Sequence, residues 1–306
     1  MSENTALFPP IALVGYGRMG RPMGRRLLEA GHRLIACDLD PRARREAEDD
    51  GAAVAPSPAE ASSAAEVVIT MLPHPRATVD ASYGEHGVLS GLRPGALWIE
   101  MSSSHPATTL ELAHAAAERH ASLLDAPVSG GVVGATKGTL AIMVGGNHEH
   151  YQRAKPILEL LGTNVFHVGD NPGDGDLAKT INNLLSTINL TAAAEALALG
   201  IRGGLDPNRL LEAIGSGSGS SRALTAKIPS FVLSGTYDAG FTISQMLKDL
   251  RIGQEVATGL DVPLFVGSLV HAMWTSFAAD GHGEEDHTAA AALIAERAGV
   301  EIAPRS

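Results

Sequence analysis

The sequence predicts an α/β domain built on a doubly wound, mainly parallel sheet, followed by an all-helical domain. In the first half, short apolar runs alternate with helix-like segments, which is typical of a parallel sheet covered on both faces. Beyond residue 175, apolar residues recur only at helical spacing. The 306 residues suffice for two domains with separate cores, which we place at residues 8–169 and 170–306.

Six short apolar runs of the first domain are predicted to be buried strands. They are Ile11–Val14, Arg33–Cys37, Val67–Leu72, Leu97–Met101, Ala141–Val144 and Val165–Val168. Helices are predicted between several of them, at Arg21–Ala30, Arg42–Asp50, Ala107–Arg119 and Glu149–Leu161.

The second domain is predicted to begin with a long helix over about 175–202, because apolar residues recur there on one helical face until Gly203-Gly204 ends the pattern. Further helices are predicted at Pro207–Ile214, Ile243–Thr258, Leu264–Ala279 and Thr288–Ala298. No strand is predicted among them, and the Gly/Ser stretch Gly215–Ser221 is expected to be a loop.

Composition and charge narrow the classes of partner. Apolar residues make up 44% of the chain and charged residues 19%, which is ordinary for a globular protein. A formal net charge of −11 repels phosphate backbones, so we expect no nucleic-acid partner. The single cysteine, Cys37, excludes a disulfide within the chain, and its apolar neighbours indicate a buried thiol without a catalytic role.

Membrane association and secretion are not expected. The longest apolar candidate, Leu190–Gly200, carries Glu195 and is shorter than the run of about 18 residues that spans a bilayer. The N-terminus lacks the basic start of a signal peptide, so we expect a cytoplasmic protein without a membrane partner.

Two histidine clusters, His148/His150 and His282/His287, are candidates for a metal site. Neither has the spacing of a zinc site, and both lie among polar residues. We interpret both as solvated surface and predict no metal.

A glycine-rich turn follows the first predicted strand and opens a helix, with Pro22 suited to the first turn. The first glycine makes a tight turn, the second lets the backbone approach a pyrophosphate, and the third packs helix on strand. Free N–H groups at the helix N-terminus suit phosphates. The turn therefore predicts a Rossmann-type dinucleotide-binding domain, in which the residues at the cofactor are Gly15, Gly17, Arg18, Met19 and Gly20.

A carboxylate at the end of the second predicted strand bears on the choice of cofactor. Asp38 follows Gly20 by 18 residues, where it can accept hydrogen bonds from the adenosine ribose and would repel a 2′-phosphate. Leu39 rather than an arginine comes next, although three arginines (Arg42, Arg44 and Arg45) could still reach a phosphate. The pattern favours NAD over NADP.

A second motif runs from Asp125 through Ser129-Gly130-Gly131 into a glycine-rich stretch that we interpret as a loop. Backbone amides of such a turn can form a concave receptor for a carboxylate. Read alone, the motif is equally compatible with a loop that feeds a hairpin.

A third motif, Gly173–Asn183, lies early in the long predicted helix. Lys179 and Asn183 are four residues apart and therefore share a face, just after a glycine pair that lets another segment come close. An amine placed to exchange a proton, beside an amide placed to hold a substrate, predicts an enzyme.

In this order and spacing, the three motifs resemble those of the β-hydroxyacid dehydrogenases, a group that includes 3-hydroxyisobutyrate dehydrogenase and 2-hydroxy-3-oxopropionate (tartronate semialdehyde) reductase. A fourth element, Lys248-Asp249-Leu250 preceded by Gly240-Phe241, also matches. The likeness runs from about Ile11 to Gly299. It implies reversible NAD(P)-dependent oxidation of a small 3-hydroxy acid by a homodimer or homotetramer.

The resemblance also implies a role for each matching residue. Lys179 would be the general acid/base, and Asn183 and the Ser129-Gly130-Gly131 turn would hold the substrate carboxylate and hydroxyl. Lys248 would close over the cofactor from the helical domain. The other residues implied at the cofactor are Leu72, Pro73 and Ser103.

Three departures from the family pattern remove none of the expected chemistry, but the one at His287 leaves the substrate open. Ala77 stands where relatives often carry an asparagine that touches the cofactor, Glu100 replaces a common aspartate, and His287 replaces Phe or Tyr near the expected pocket. The alternatives are tartronate semialdehyde reductase, a serine- or threonate-type dehydrogenase, and a dinucleotide-binding module without catalysis. Lys179 and Asn183 favour an enzyme.

Overall fold

The computed structural model of the protein describes residues 9–302. Residues 1–8, on which the expectation about a signal peptide rests, and residues 303–306 lie outside this range; they include the first residue and the last four residues of the predicted domains. The chain forms two compact units, one ending at Lys179 and the other beginning at Thr180.

The first unit is built on one nine-stranded sheet. Its strands are β1 (Ile11–Val14), β2 (Leu34–Cys37), β3 (Ala53–Val54), β4 (Val67–Thr70), β5 (Leu97–Glu100), β6 (Ser122–Asp125), β7 (Val128–Ser129), β8 (Ala141–Gly145) and β9 (Asn164–Gly169). The order is β3-β2-β1-β4-β5-β6-β8-β7, with β9 paired to β8. Neighbours from β3 to β6 are parallel, whereas β8 is antiparallel to β6 and β7. The order 3-2-1-4-5-6 confirms the predicted Rossmann-type class.

Eight helices accompany the sheet in the described part of this unit: α1 (Gly20–Glu29), α2 (Pro41–Asp49), α3 (Pro58–Ser63), α4 (Pro75–Ser82), α5 (Val88–Gly91), α6 (Pro106–Ala117), α7 (Gly131–Lys137) and α8 (His148–Leu161). Side chains in β1 alternate between two separate apolar clusters: Ile11 and Leu13 pack into one, Ala12 and Val14 into the other. The sheet is therefore covered on both faces, which is why its strands read as continuous apolar runs.

Some elements of this unit were not delimited from the sequence. Strands β3 and β7 have two residues each, and β6 contributes only Leu123 and Leu124 as apolar residues, so periodicity could not reveal them. The short helices α3, α4 and α5 were missed for the same reason. The expectation of a glycine-rich loop after Gly131 was wrong, because the stretch forms helix α7. Glycine lowers the propensity to form a helix but does not forbid one.

The second unit is helical. Helix α9 (Asp174–Arg202) contains the boundary between the units, and it is followed by α10 (Pro207–Gly215), a π-helical segment (Ala223–Val232), α11 (Ile243–Gly259), α12 (Phe265–Phe277), a short π-helical segment (Ala278–His282) and α13 (Ala289–Arg297). Between Thr180 and Ile302 the structure has no strand, apart from an isolated bridge between Thr242 and Asp286. The predicted helical class of this half is confirmed.

Three buried side chains carry a group that can ionise or donate a hydrogen bond. Cys37 is 3% exposed, and burial raises the pKa of its thiol to about 11, which confirms a packing role rather than a reactive one. Trp274 is fully buried in the helical core and donates its indole N–H to Thr191 Oγ1 at 3.0 Å. Trp98 in β5 likewise donates to Thr70 Oγ1 at 2.9 Å.

Helix α9 corrects one argument made from the sequence. Leu190–Gly200 is part of a helix of 29 residues, which by length and composition alone is long and apolar enough to cross a membrane. Polar side chains are nevertheless buried along it, namely Asp176, Thr180, Asn183, Thr187 and Thr191. This polar face therefore packs against protein, and the absence of a membrane partner stays an expectation.

We expect Thr191→Val to lower the free energy of unfolding by about 1–3 kcal/mol, because the buried Trp274 N–H loses its acceptor. Urea unfolding followed by helical circular dichroism measures the change. Thr258→Val is the control, since Thr258 is exposed and its hydroxyl donates only to a carbonyl of its own helix. Equal effects of the two substitutions would contradict a structural role for this hydrogen bond.

Candidate functional site

The glycine turn Gly15–Gly20 connects β1 to α1 at the carboxyl edge of the sheet. Gly15 has a positive φ of 97°, and a Cβ there would meet the Met71 carbonyl; a Cβ at Gly20 would meet the Gly15 carbonyl. Nothing described lies within 4 Å of a Cβ on Gly17, and Gly17 and Arg18 are exposed. The outer glycines thus serve the protein's own packing, while the middle one leaves an open side where a ligand can approach.

No side chain caps the N-terminus of α1; Met19 occupies the cap position. Within this turn the N–H groups of Arg21 and Met23 donate to the Gly17 and Met19 carbonyls, at 2.9 and 3.4 Å, and Pro22 has no N–H. The positive end of the helix dipole beside Gly17 is therefore what favours an anion such as a pyrophosphate.

Asp38 is fixed beside this turn. Its Oδ2 accepts the Tyr16 N–H at 2.7 Å, and its Oδ1 accepts the Asp40 N–H at 2.8 Å. Each carboxylate oxygen can accept a further hydrogen bond. The geometry fits the predicted contact with ribose hydroxyls.

The ends of β4 and β5 bring the other predicted cofactor residues to the same edge. The Leu72 N–H donates to Ser102 Oγ at 2.9 Å, and Ser102 in turn donates its N–H to Glu100 Oε1 at 2.9 Å. Leu72 and Ser103 are partly buried and Pro73 is exposed. Ser102 was not singled out from the sequence; only its position beside Ser103 could have indicated it.

A buried carboxylate anchors the start of α9 to the sheet. Asp125, at the end of β6, accepts the N–H of Gly173 at 2.8 Å and the N–H of Asp176 at 2.7 Å. A Cβ on Gly175 would meet both the Met143 carbonyl and the Asp125 carboxylate. The close approach expected of the glycine pair is therefore present, and it fixes the helix that carries Lys179.

Asp176 makes a second connection of the same kind. Its carboxylate, 1% exposed, accepts the Ser104 N–H at 3.0 Å and the Thr109 hydroxyl at 2.6 Å. The sequence analysis passed over Asp176 because nothing in its local pattern distinguishes a buried acceptor from a residue in the first turn of an exposed helix.

Three carboxyl groups are thus buried near one another, and the pKa values of two of them, Glu100 and Asp125, are displaced. Burial, reinforced by the negative charges of Asp176 and Asp125, raises the pKa of Glu100 well above its usual range. Burial also raises the pKa of Asp125 to about 6, although hydrogen bonds from Gly173 and Asp176 oppose this. Glu100 Oε2 has no hydrogen-bond partner among the described residues, which further disfavours a charge on this buried carboxyl group.

The predicted substrate turn lies between β7 and α7. Gly130 and Gly131 have positive φ values of 133° and 60°, conformations that residues with a side chain rarely adopt. Ser129 is partly buried, and both glycines are exposed. Their backbone N–H groups can therefore be reached by a small anion.

Lys179 and Asn183 lie one turn apart on α9. Lys179 is partly buried at the end of the first unit, whereas Asn183 is buried at the start of the second. Asn183 Nδ2 donates to Asp249 Oδ2 at 2.6 Å, and its Oδ1 accepts from Asn182 at 3.0 Å. The amide orientation is therefore fixed from both ends.

Lys248 pairs with the same aspartate: its Nζ lies 3.0 Å from Asp249 Oδ1. Asp249 thus holds two predicted site residues, Asn183 and Lys248, within the second unit. Sequence reasoning quoted Asp249 only as part of a matching tripeptide. Its buried position between an amide and an ammonium is a three-dimensional relation that no local spacing encodes.

The expectation for the histidine clusters was partly wrong. His282 is partly buried beside Glu285, but His287 is 4% exposed and Asp286 is held by the N–H groups of Gly240 and Thr288. Polar neighbours in the sequence concealed this burial. Among residues 9–302, no group of three or more His, Cys, Asp or Glu side chains is arranged to hold a metal.

Comparison with known proteins identifies both halves. Residues 10–169 match the family described as the NAD binding domain of 6-phosphogluconate dehydrogenase. Residues 173–294 match the family described as NAD-binding of NADP-dependent 3-hydroxyisobutyrate dehydrogenase.

Individual relatives are similar over nearly the whole chain. The 2-(hydroxymethyl)glutarate dehydrogenase of Eubacterium barkeri is 36% identical over 95% of this chain and 97% of its own. The 3-hydroxyisobutyrate dehydrogenase of Pseudomonas aeruginosa is 40% identical over 87% and 91%. The solved structure of Mycobacterium tuberculosis 3-hydroxyisobutyrate dehydrogenase with L-serine superposes with a TM-score of 0.86 at 33% identity, covering 94% of this chain and 99% of that one.

We expect Glu100→Gln to stabilise the protein increasingly as pH rises. The pKa of Glu100 is higher folded than unfolded, so below about pH 4 both states hold the proton and the group contributes nothing. As pH rises, the unfolded state releases its proton first, and the wild type loses stability relative to the variant. Urea titrations at pH 4, 5, 6 and 7 should show a gain in the free energy of unfolding that grows steadily from pH 4 to pH 7.

The control for this titration is Glu111→Gln, which alters an exposed carboxylate on α6. A gain for Glu100→Gln that does not change with pH would show that Glu100 is ionised in the folded protein.

Proposed function

Because the chain belongs to the β-hydroxyacid dehydrogenase family, we propose that it reversibly oxidises a small 3-hydroxy acid, with Lys179 as the general acid/base. The observation that carries this proposal is the anchored start of α9. Two backbone hydrogen bonds to Asp125 fix the helix that presents Lys179 and, one turn later, Asn183.

Hydride transfer is the chemistry that the nicotinamide of NAD(P) supplies when it is bound. Lys179 takes the hydroxyl proton during oxidation and returns it to the developing alkoxide during reduction. A free lysine has a pKa of about 10.4, so oxidation requires the deprotonated amine and should be faster at high pH, whereas reduction uses the ammonium form.

The substrate carboxylate and hydroxyl are bound, in this proposal, by Asn183 and the Ser129-Gly130-Gly131 turn. The hydrogen bond from Asn183 to Asp249 supports such a role, since it pre-orients the amide before substrate arrives. Exposed backbone N–H groups at the two glycines supply donors for an anion.

The substrate core that we propose is a 2-(hydroxymethyl) carboxylic acid. Two relatives of similar identity are named for 3-hydroxyisobutyrate, which is 2-(hydroxymethyl)propanoate, and for 2-(hydroxymethyl)glutarate. The two molecules share the primary alcohol and the adjacent carboxylate and differ only in the third substituent on the central carbon.

We further propose NAD rather than NADP as the cofactor. Support comes from the fixed carboxylate of Asp38, whose negative charge disfavours a 2′-phosphate while its free lone pairs can receive ribose hydroxyls. The other predicted cofactor contacts, from Gly15–Gly20, Leu72, Pro73, Ser103 and Lys248, remain part of the proposal.

Assembly and location also remain proposals. Exposed apolar side chains on the second unit, among them Phe265, Val266 and Leu269 on α12 and Ile181 and Leu185 on α9, support a homodimer or homotetramer. The acidic net charge supports the absence of a nucleic-acid partner, and a cytoplasmic location stays a prediction.

We expect Lys179→Ala to lower kcat/KM for 3-hydroxyisobutyrate by about 10²–10⁴-fold, because proton transfer loses its positioned group. Formation of reduced nicotinamide, followed by absorbance, measures the rate with wild type, the variant and the control Lys155→Ala, which alters a partly exposed lysine on α8. In the wild type, oxidation should accelerate with pH and reduction should not. Full activity of Lys179→Ala would exclude the proposed role.

We expect Asp38→Asn to reduce the preference for NAD over NADP roughly tenfold, because the amide no longer repels a 2′-phosphate and accepts hydrogen bonds more weakly. The measurement is the ratio of kcat/KM for the two cofactors at saturating acid substrate. Asp40→Asn, two residues away and exposed, serves as the control. An unchanged ratio would refute Asp38 as the discriminating residue.

A further inference from the structure

A lysine that the proposed reaction does not use lies inside the second unit. Lys227, in the π-helical segment Ala223–Val232, donates from Nζ to Ser186 Oγ at 3.0 Å and lies 3.1 Å from His287 Nε2. Within residues 9–302, no carboxylate oxygen lies within 4 Å of this ammonium group. The two side chains that touch the ammonium group are therefore a hydroxyl and an imidazole, not carboxylates.

His287 holds the lysine through a defined tautomer. Its Nδ1 lies 3.1 Å from the Phe241 carbonyl oxygen, which can only accept, so Nδ1 carries the proton. Nε2 then presents a lone pair to Lys227. This nitrogen is a hydrogen-bond acceptor, but it does not neutralise the charge.

The nearest carboxylate is already occupied by other donors. Asp286 accepts the N–H of Gly240 at 2.7 Å and both the N–H and the hydroxyl of Thr288, at 2.9 and 2.6 Å. Burial pushes the pKa of Asp286 upward, but hydrogen bonds from His287 and Thr288 outweigh it and hold the pKa below its usual range. Asp286 therefore positions His287 instead of pairing with the lysine.

The local charge balance is thus positive. Burial lowers the pKa of Lys227, and the nearby Arg222 lowers it further, while the charge of Asp286 opposes them. A partly buried cation that has no carboxylate in direct contact gains more from an anion than from a hydroxyl group, because only the anion offsets the cost of burying the charge.

The lysine is also next to the proposed substrate residues. Ser186 follows Asn183 by three residues and Lys179 by seven, so all three lie on one face of α9. Three residues of α-helix correspond to about 4.5 Å along the axis. The Lys227 ammonium is therefore about one helical turn beyond the amide proposed to hold the substrate core.

Building on the proposed function, we propose that Lys227 binds a second carboxylate of the substrate, which makes the substrate a 2-(hydroxymethyl) dicarboxylic acid. Of the three N–H donors of the ammonium, two are directed at Ser186 and His287, and the third is available for the ligand. An arm of two methylene groups spans about 4 Å over three C–C bonds, which matches the separation along the helix. His287 and Asp286 are positioning residues for this contact.

The test compares two substrates whose arms have equal length and differ in charge, 2-(hydroxymethyl)glutarate and 2-(hydroxymethyl)pentanoate. We expect the wild type to prefer the diacid at least tenfold in kcat/KM, mainly through KM, and Lys227→Met to bring the ratio close to one. Lys227→Arg should restore part of the preference, and His287→Phe should reduce it while leaving the lysine in place. Lys155→Met is the matched control and should leave the ratio unchanged.

Calorimetric binding of 2-methylglutarate and 2-methylpentanoate, which lack the hydroxyl group and cannot be oxidised, separates this proposal from the proposed reaction. A preference for the diacid that is lost in Lys227→Met supports the Lys227 site even if no acid is turned over. Turnover of 3-hydroxyisobutyrate without any diacid preference in rate or binding overturns the Lys227 site and leaves the reaction standing. Equal losses for both substrates in Lys227→Met, with an altered circular dichroism spectrum, would assign the lysine a purely structural role and also overturn it.

Discussion

The arrangement of this protein depends on one carboxylate, Asp125. It ends β6, which lies between β5 and β8 in the sheet, and accepts the N–H groups of Gly173 and Asp176 at the start of α9, at 2.8 and 2.7 Å. Space for this contact exists only because the facing positions are Gly145 and Gly175, where any side chain would meet backbone or the carboxylate itself. The longest helix of the described chain is thus attached to the sheet by directional polar contacts.

Directional contacts of this kind suit a helix that carries reactive groups. Apolar packing tolerates small shifts of a helix along its axis, whereas two hydrogen bonds to one carboxylate fix both its position and its rotation. This attachment brings three buried carboxyl groups, Glu100, Asp125 and Asp176, close together, which is electrostatically unfavourable when all three are ionised. The repulsion is relieved when Glu100 stays protonated. The positions of Lys179 and Asn183 follow from this anchor.

The glycine turn, Asp38, Lys179 and Asn183 were predictable from the sequence because each depends on local spacing, which fixes the face of a helix or the end of a strand. Asp176, Asp249 and Lys227 were not, because their partners lie 67 to 72, 66 and 41 to 60 residues away. His287 was misread for a related reason. Its neighbours in sequence are polar, but the adjacent Asp286 accepts backbone N–H groups from the turn before α11, a contact that local sequence does not reveal. Helix α7 was misread because glycine-rich composition weakens a helix without forbidding it.

The two tryptophans of the chain fall one in each unit, Trp98 in the sheet and Trp274 in the helical core, and each indole N–H is bonded to a buried threonine. Each unit therefore contains one intrinsic fluorophore whose indole ring is fully buried. Replacing either tryptophan by phenylalanine leaves the emission of the other as a selective optical reporter. Whether the α/β unit and the helical unit lose their structure together or in succession can then be observed without any attached dye.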